Sequence, residues 1–291
     1  MNINSCIAVQ KIIELGSFTG AAEELGYTQP ALSQSVTALE KELQVKILDR
    51  SRYGIRLTPE GEQLYPAIQQ TIADYRSIQE IAGEINGLES GIVRLVVFSS
   101  VSSRWLPGLI RGFWKQYPNV KFYLPSGTLD TIEEMIITGK ADFGFTTAPD
   151  NSNGLNTQLI KKSEFCAVIP QDHPLADRPY VTLEELSEES FLLEIGGQTV
   201  QEAFSAAGIE PTIRLEVEDD PSILSMVQDG LGVTILPYMV MNHVDYRVAV
   251  KPIVPLITRD IYLISKDRRL MPAASRRFID YMFAHMEAFD L

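Results

Sequence analysis

Cysteine and histidine are scarce in this chain of 291 residues: two of the first and three of the second. Cys6 and Cys166 stand too far apart for a disulfide framework or a C-x-x-C metal site, so each reads as a free, buried thiol. His173, His243 and His285 share no spacing with one another or with Cys166 and read as solvated or packed side chains. Four catalytic signatures are missing: a G-x-S-x-G elbow, a Walker A loop, a G-x-G-x-x-G turn after a strand, and H-E-x-x-H. No enzyme, metal or cofactor is expected. No apolar run approaches the ~20 residues needed to span a bilayer. The opening stretch MNINSCIAVQKIIELG has neither a basic leader nor a small-residue cleavage site, so no export signal and no membrane partner are read, and the cytoplasm is the expected compartment. Positive charge is in deficit too, with a net charge of −13.

What is present is the stock of a soluble globular protein. Hydrophobic residues make up 45% and charged residues 22%, and the length allows two or more domains. The charge is uneven. In residues 1–58 six cations balance six anions, so the acidic excess lies downstream. Residues 45–58 hold Lys46, Arg50, Arg52 and Arg56 against Asp49 alone. A phosphate backbone responds to local positive potential, not to the total.

The most informative stretch is SFTGAAEELGYTQPALSQSVTALEKELQ, residues 17–44. Ser17 is a helix N-cap, and Gly26 suits a left-handed C-terminal cap. Thr28 caps a second helix whose first turn holds Pro30, where a missing N–H costs nothing. Leu32, Val36, Leu39 and Leu43 form one apolar stripe. The opposite stripe is Pro30, Gln34, Thr37 and Lys41, with Ser33 beside it, and short hydrogen-bonding side chains near the helix N-terminus suit a DNA major groove. Taken alone, the pair also fits an ordinary amphipathic helix hairpin. A two-stranded ribbon follows, Ile47 and Leu48 opposite Ile55 and Leu57 with Tyr53-Gly54 at the turn. Arg50, Arg52 and Arg56 surround its tip, as in a wing that reaches phosphates or the minor groove. Solvated charges on a plain hairpin are the alternative, but a wing directly after the helix pair favours DNA.

From Thr58 a long helix is expected, with Leu64, Ile68, Ile72, Tyr75, Ile78, Ile81, Ile85 and Leu88 near heptad spacing. One narrow seam of that length calls for a second copy of itself, hence a dimer; packing on its own chain is the alternative. Gly87 to Gly91 is the linker out of it.

Strand and helix then alternate. IVRLVVF (92–98), KFYL (121–124) and ADFGFT (141–146) read as strands, with helices between them. The pattern restarts with EFCAVIP (164–170), FLLEI (191–195), TIRLEV (212–217), GVTILP (232–237), YRVAVK (246–251) and RDIYLIS (259–265), closed by a helix over 271–289. The fold class is α/β, with a mostly parallel sheet in two lobes joined by crossing strands. The cleft at the strand ends is the default ligand site.

The full length resembles the LysR-type transcriptional regulators. The most specific match is GSFTGAAEELGYTQPALSQSVTALEKELQVKILDR…GIRLTPEG, supported by DHPLA (172–176) and DGLGVTILP (229–237). The resemblance implies a winged helix-turn-helix over 1–58, a dimerising linker helix over 59–90, and a periplasmic-binding-protein-like effector domain over 91–291. Lobe I would hold 91–161 and 267–291, and lobe II 162–266. It implies a small-molecule effector, binding to interrupted palindromes in double-stranded DNA, and assembly to tetramers. RNA polymerase is a further expected partner. The family's DNA contacts fall on Thr28, Gln29, Pro30, Ser33, Gln34, Arg50, Arg52 and Arg56. Where the family often carries Arg, this chain has Gln34, and Gln prefers adenine edges where Arg prefers guanine. A free-standing solute-binding protein would explain residues 92–291 but not the first 90.

Candidate effector contacts sit at the strand ends: Ser99, Ser100 and Ser102 after the first strand, Ser126 and Thr128 after the second, Thr146 after the third, and Gln198 and Thr199 in lobe II. Any single hydroxyl among them could equally be a helix cap. No Arg or Lys sits among them, while Glu194, Asp219 and Asp220 are near. A monocarboxylate, a neutral molecule or an amine therefore fits better than a dicarboxylate.

Overall fold

The structure, a computed structural model, describes residues 2–51, 54–85, 90–125, 127–150, 152–241 and 245–286. Three short helices open the chain: α1 (Ile3–Leu15), α2 (Phe18–Leu25) and α3 (Gln29–Leu43). Each starts on the residue whose chemistry demands it. Ser17 accepts the Gly20 N–H at 3.2 Å, and Thr28 accepts the Ala31 N–H at 3.4 Å. Helix α2 ends at Gly26 with φ 70°, a left-handed turn that lets the chain reverse into α3. Strands β1 (Leu48–Ser51) and β2 (Gly54–Leu57) pair antiparallel, Leu48 opposite Leu57. Cys6, Val9, Ile12, Ala21, Leu32, Val36, Leu39 and Ile47 make the core under them.

Helix α4 (Pro59–Ile85) is a single helix of 27 residues. Its apolar seam is not one surface. Ile68 and Ile72 are buried in the core of the N-terminal domain, with Leu64 and Tyr65 packed beside them. Only the second half is bare: Ile78 is 64% exposed and Ile85 80%. The expectation that the whole seam needs another copy is corrected, because its first half packs into the N-terminal core, where α1 touches α4. Leu88 lies outside the described residues.

The remainder carries β3 (Gly91–Val96), α5 (Ser99–Arg104), α6 (Leu106–Trp114), β4 (Val120–Tyr123), α7 (Leu129–Ile137), β5 (Phe143–Thr146) and β6 (Asn156–Pro170). There follow β7 (Val181–Thr182), α8 (Leu183–Ser187), β8 (Phe191–Glu194), α9 (Gln198–Ala207), β9 (Ile213–Val217), α10 (Asp220–Gln228), β10 (Thr234–Pro237) and α11 (Tyr238–Met241). Strands β11 (Val248–Val254) and β12 (Thr258–Ser265) and helix α12 (Ala273–Ala284) complete the domain. Within lobe I, β4, β3 and β5 run parallel, and in lobe II β8 and β9 do. The sheet as a whole is mixed, because β6 and β12 cross between the lobes antiparallel to each other and to the strands they join. Strand β6 is 15 residues long, about twice the expected 164–170, because its first half belongs to lobe I. The lobe boundary expected at 266 is corrected likewise. Ile261 and Leu263 of β12 lie in the lobe I core with Trp105, Phe113 and Phe278. Ile253 and Ile257, just before that strand, lie in the lobe II core with Phe191 and Phe204.

Candidate DNA interface and effector cleft

Helix α3 divides by its own periodicity. Leu32, Val36 and Leu39 are each at most 2% exposed. Thr28, Gln29, Pro30, Gln34 and Thr37 are exposed on the other side, with Ser33 half-buried among them. The Thr37 hydroxyl donates to the Ser33 carbonyl at 2.9 Å, so it and the capping Thr28 are partly engaged within the helix. No hydrogen bond among the described residues uses the Gln34 amide. The wing is fastened to this face by Arg50. Its Nη2 donates to the Ser33 hydroxyl at 2.9 Å, and its guanidinium lies 3.8 Å from the centre of the Phe18 ring. Arg50 thus ties α2, α3 and the wing together, besides being an exposed cation. Arg56 is exposed on β2, opposite Asp49. Arg52 and Tyr53, expected at the wing tip, lie outside the described residues.

Beneath this face a buried carboxylate ties α3 to the chain entering the wing. Glu40 Oε1 accepts the N–H groups of Ile47 and Leu48 at 2.9 and 3.1 Å, and Oε2 meets Lys46 Nζ at 2.8 Å. Burial pushes this carboxyl up, but the lysine and the two N–H groups outweigh it, and its pKa is held below the ordinary value.

In the effector domain the hydroxyls expected to meet a ligand are already in use. The Ser99 hydroxyl donates to Asp220 Oδ2 at 2.8 Å, joining lobe I to α10 of lobe II. The buried Ser100 hydroxyl accepts from Arg259 Nη2 at 2.7 Å. The Ser102 hydroxyl donates back to the Ser99 carbonyl at 2.8 Å. Arg259 is held between the Phe98 and Phe165 rings, 5.0 and 5.3 Å from their centres. Burial lowers its pKa to about 10, against the opposing pull of Glu194 and Asp220, so it stays charged at neutral pH. Glu194, at the end of β8, is pushed up to about 7 by burial and by the Asp220 charge. Asp220 is raised by burial as well. Two polar atoms here are buried with no partner among the described residues: Asp220 Oδ1 and Arg259 Nε.

Two family models match the chain: the bacterial regulatory helix-turn-helix protein of the lysR family over residues 3–62, and the LysR substrate binding domain over residues 86–287. The chain belongs to the LysR family. The transcriptional regulator YvbU of Bacillus subtilis is 30% identical over 96% of this chain and 97% of its own length. The transcriptional activator CmpR of Synechocystis is 26% identical over 96% of this chain and 94% of its own. Among solved structures, full-length OxyR from Pseudomonas aeruginosa has a TM-score of 0.75 at 24% identity, covering 100% of this chain and 95% of that one. CbnR bound to its target DNA has a TM-score of 0.71 at 23% identity over 98% and 99% of the two chains. This LysR protein is accordingly a DNA-binding transcriptional regulator, not an enzyme, with an effector-binding domain behind its helix-turn-helix. None of the described helices is long and apolar enough to cross a membrane.

The LysR cleft corrects the view that no cation serves it. Arg259 stands at the first, polar end of β12, and nothing in spacing links it to Ser100, 159 positions away. Asp219 is spent as the N-cap of α10, accepting from Ser222 N and Oγ at 2.9 and 2.7 Å, which leaves Glu194 and Asp220 as the acids of the cleft. Thr128 engages Thr131 at the start of α7, and the buried Thr146 accepts the Ala148 N–H at 3.4 Å. No contact among the described residues ties Gln198 or Thr199 to the Ser99–Arg259 group. Ser126 lies outside them. His173 accepts the Leu175 N–H at 3.2 Å and its Nε2 lies 3.3 Å from Glu189, and His285 stacks on Tyr281, so both have local structural partners; His243 lies outside. Cys6 and Cys166 are free and buried, and burial pushes the Cys166 thiol up to about 12, which keeps it protonated.

Proposed function

We propose that α3 enters the major groove and reads bases through Thr28, Gln29, Pro30, Ser33, Gln34 and Thr37. Arg50, Arg52 and Arg56 meet the flanking phosphates. The observation that carries this reading is the exposed, unengaged Gln34 amide in the middle of a face whose wing is already fastened beside it by Arg50. The bare half of α4, with Tyr75, Ile78 and Ile85, pairs with a second copy, so the regulator reads an interrupted palindrome as a dimer and assembles further to a tetramer. It works in the cytoplasm and acts on transcription by contact with RNA polymerase. The domains run 1–58, 59–90 and 91–291. Its effector enters between the lobes at Ser99, Ser100 and Ser102, with Thr128, Thr146, Gln198 and Thr199 on the surrounding strand ends. Selection from a random DNA pool tests the DNA half: two inverted half-sites about one helical turn apart are expected. A single half-site would remove the dimer, and no enrichment would remove the base readout.

A further inference from the structure

The cleft holds two unmet needs of opposite sign. The Ser99 and Ser100 hydroxyls are consecutive, on Cα atoms about 3.8 Å apart, and each holds one charged side chain from elsewhere in the fold. Ser99 holds Asp220 by Oδ2, leaving Oδ1 buried without a donor. Ser100 holds Arg259 by Nη2, leaving the Nε proton buried without an acceptor. Asp220 is only 4% exposed. Glu194 stands close enough to both for its charge to act on them, yet no ion pair closes between the guanidinium and either carboxylate among the described residues. Each charged group is thus half satisfied, and a buried polar atom without a partner is costly.

Resting on the assignment of the interlobe cleft as the effector site, we propose that the effector is a zwitterionic α-amino acid or a close analogue. Its ammonium group is received by Asp220 and Glu194, and its carboxylate by Arg259. The charges decide the class. A plain carboxylate would satisfy Arg259 but would press against the two acids. A plain amine would satisfy the acids but leave the arginine unpaired. A neutral molecule would leave both buried charges uncompensated. A molecule with a cation and an anion two bonds apart meets each group at its own sign, and the Phe98 and Phe165 rings flank the guanidinium that would receive the carboxylate.

The test is calorimetric titration of the full-length protein with the common L-amino acids. Any that bind are followed by their N-acetyl derivatives and their decarboxylated amines. One or a few amino acids should bind, and each derivative should bind at least about tenfold more weakly, since each loses one charge-assisted partner. Asp220→Asn and Arg259→Lys should weaken the parent amino acid similarly while far-ultraviolet circular dichroism stays unchanged. Retained affinity in the N-acetyl derivative overturns the proposal, and so does silence across all amino acids. The ligand derivatives keep the test alive if either variant fails to fold. A ligand of another class that binds and weakens in Arg259→Lys would overturn the amino-acid assignment and leave the cleft standing. An amino acid that binds unchanged in both variants sits elsewhere and would overturn both.

Discussion

The two ends of this molecule solve recognition by opposite means. The DNA face is local: Thr28 to Thr37 lie on one helix, and the arginines beside them follow within about two dozen residues. Its chemistry is exposed and waits for a rigid, known partner. The effector cleft is assembled from afar: Ser99, Ser100, Glu194, Asp220 and Arg259 come from two lobes and span 160 positions. Its charges are buried and held apart from one another. A local face can be read by periodicity and survives damage elsewhere, whereas a cleft of buried charge depends on the register of the strands that bring it together.

The largest effect should come from Glu40, the buried support of the local face. Glu40→Ala leaves the Ile47 and Leu48 N–H groups and Lys46 without their acceptor, at a cost of about 3 kcal/mol. Urea denaturation should show the loss in the N-terminal domain, with the effector domain's transition unmoved. Gln34→Ala comes next. It should cost about 1–3 kcal/mol on the selected site and relax preference at one base pair, with no loss of fold, as measured by mobility shift on a panel of single-base variants.

Glu194→Gln probes the other region. Burial raises this carboxyl from 4.5 to about 7, so the unfolded chain ionises first and wild-type stability falls as pH rises between those values. The loss is complete above the folded pKa. Glu194→Gln lacks it, and thermal unfolding across pH should find the variant more stable by at most about 3 kcal/mol above pH 7 and equal to wild type below about pH 4. The smallest effect belongs to Arg56→Ala, which should weaken all DNA sequences alike and flatten the salt dependence of binding by about one unit.

The difference between the regions also explains what could be read from sequence. Helices α2 and α3, their caps at Ser17 and Thr28, and the side of α3 that faces outward follow from local rules. The linker seam did not divide so easily. Periodicity marks Ile68 and Ile78 alike, and only the packing of α1 shows that the first is buried and the second bare. In the effector domain the strands were legible but their partners were not. That β6 runs on for 15 residues, and that β12 carries Arg259 to Ser100, depends on antiparallel crossing between lobes, for which no short stretch carries a signal. The acids Glu194 and Asp220 were visible as charge near strand ends; the cation that balances them was hidden at the polar start of an apolar strand.

One side-by-side measurement tests the division most directly: random-pool DNA selection with the wild type, Gln34→Ala and Arg259→Lys. If the local face reads and the distant cleft only controls, Gln34→Ala should alter the enriched motif at one symmetric base pair, and Arg259→Lys should return the wild-type motif. An unchanged motif from Gln34→Ala, or a changed one from Arg259→Lys, would contradict it.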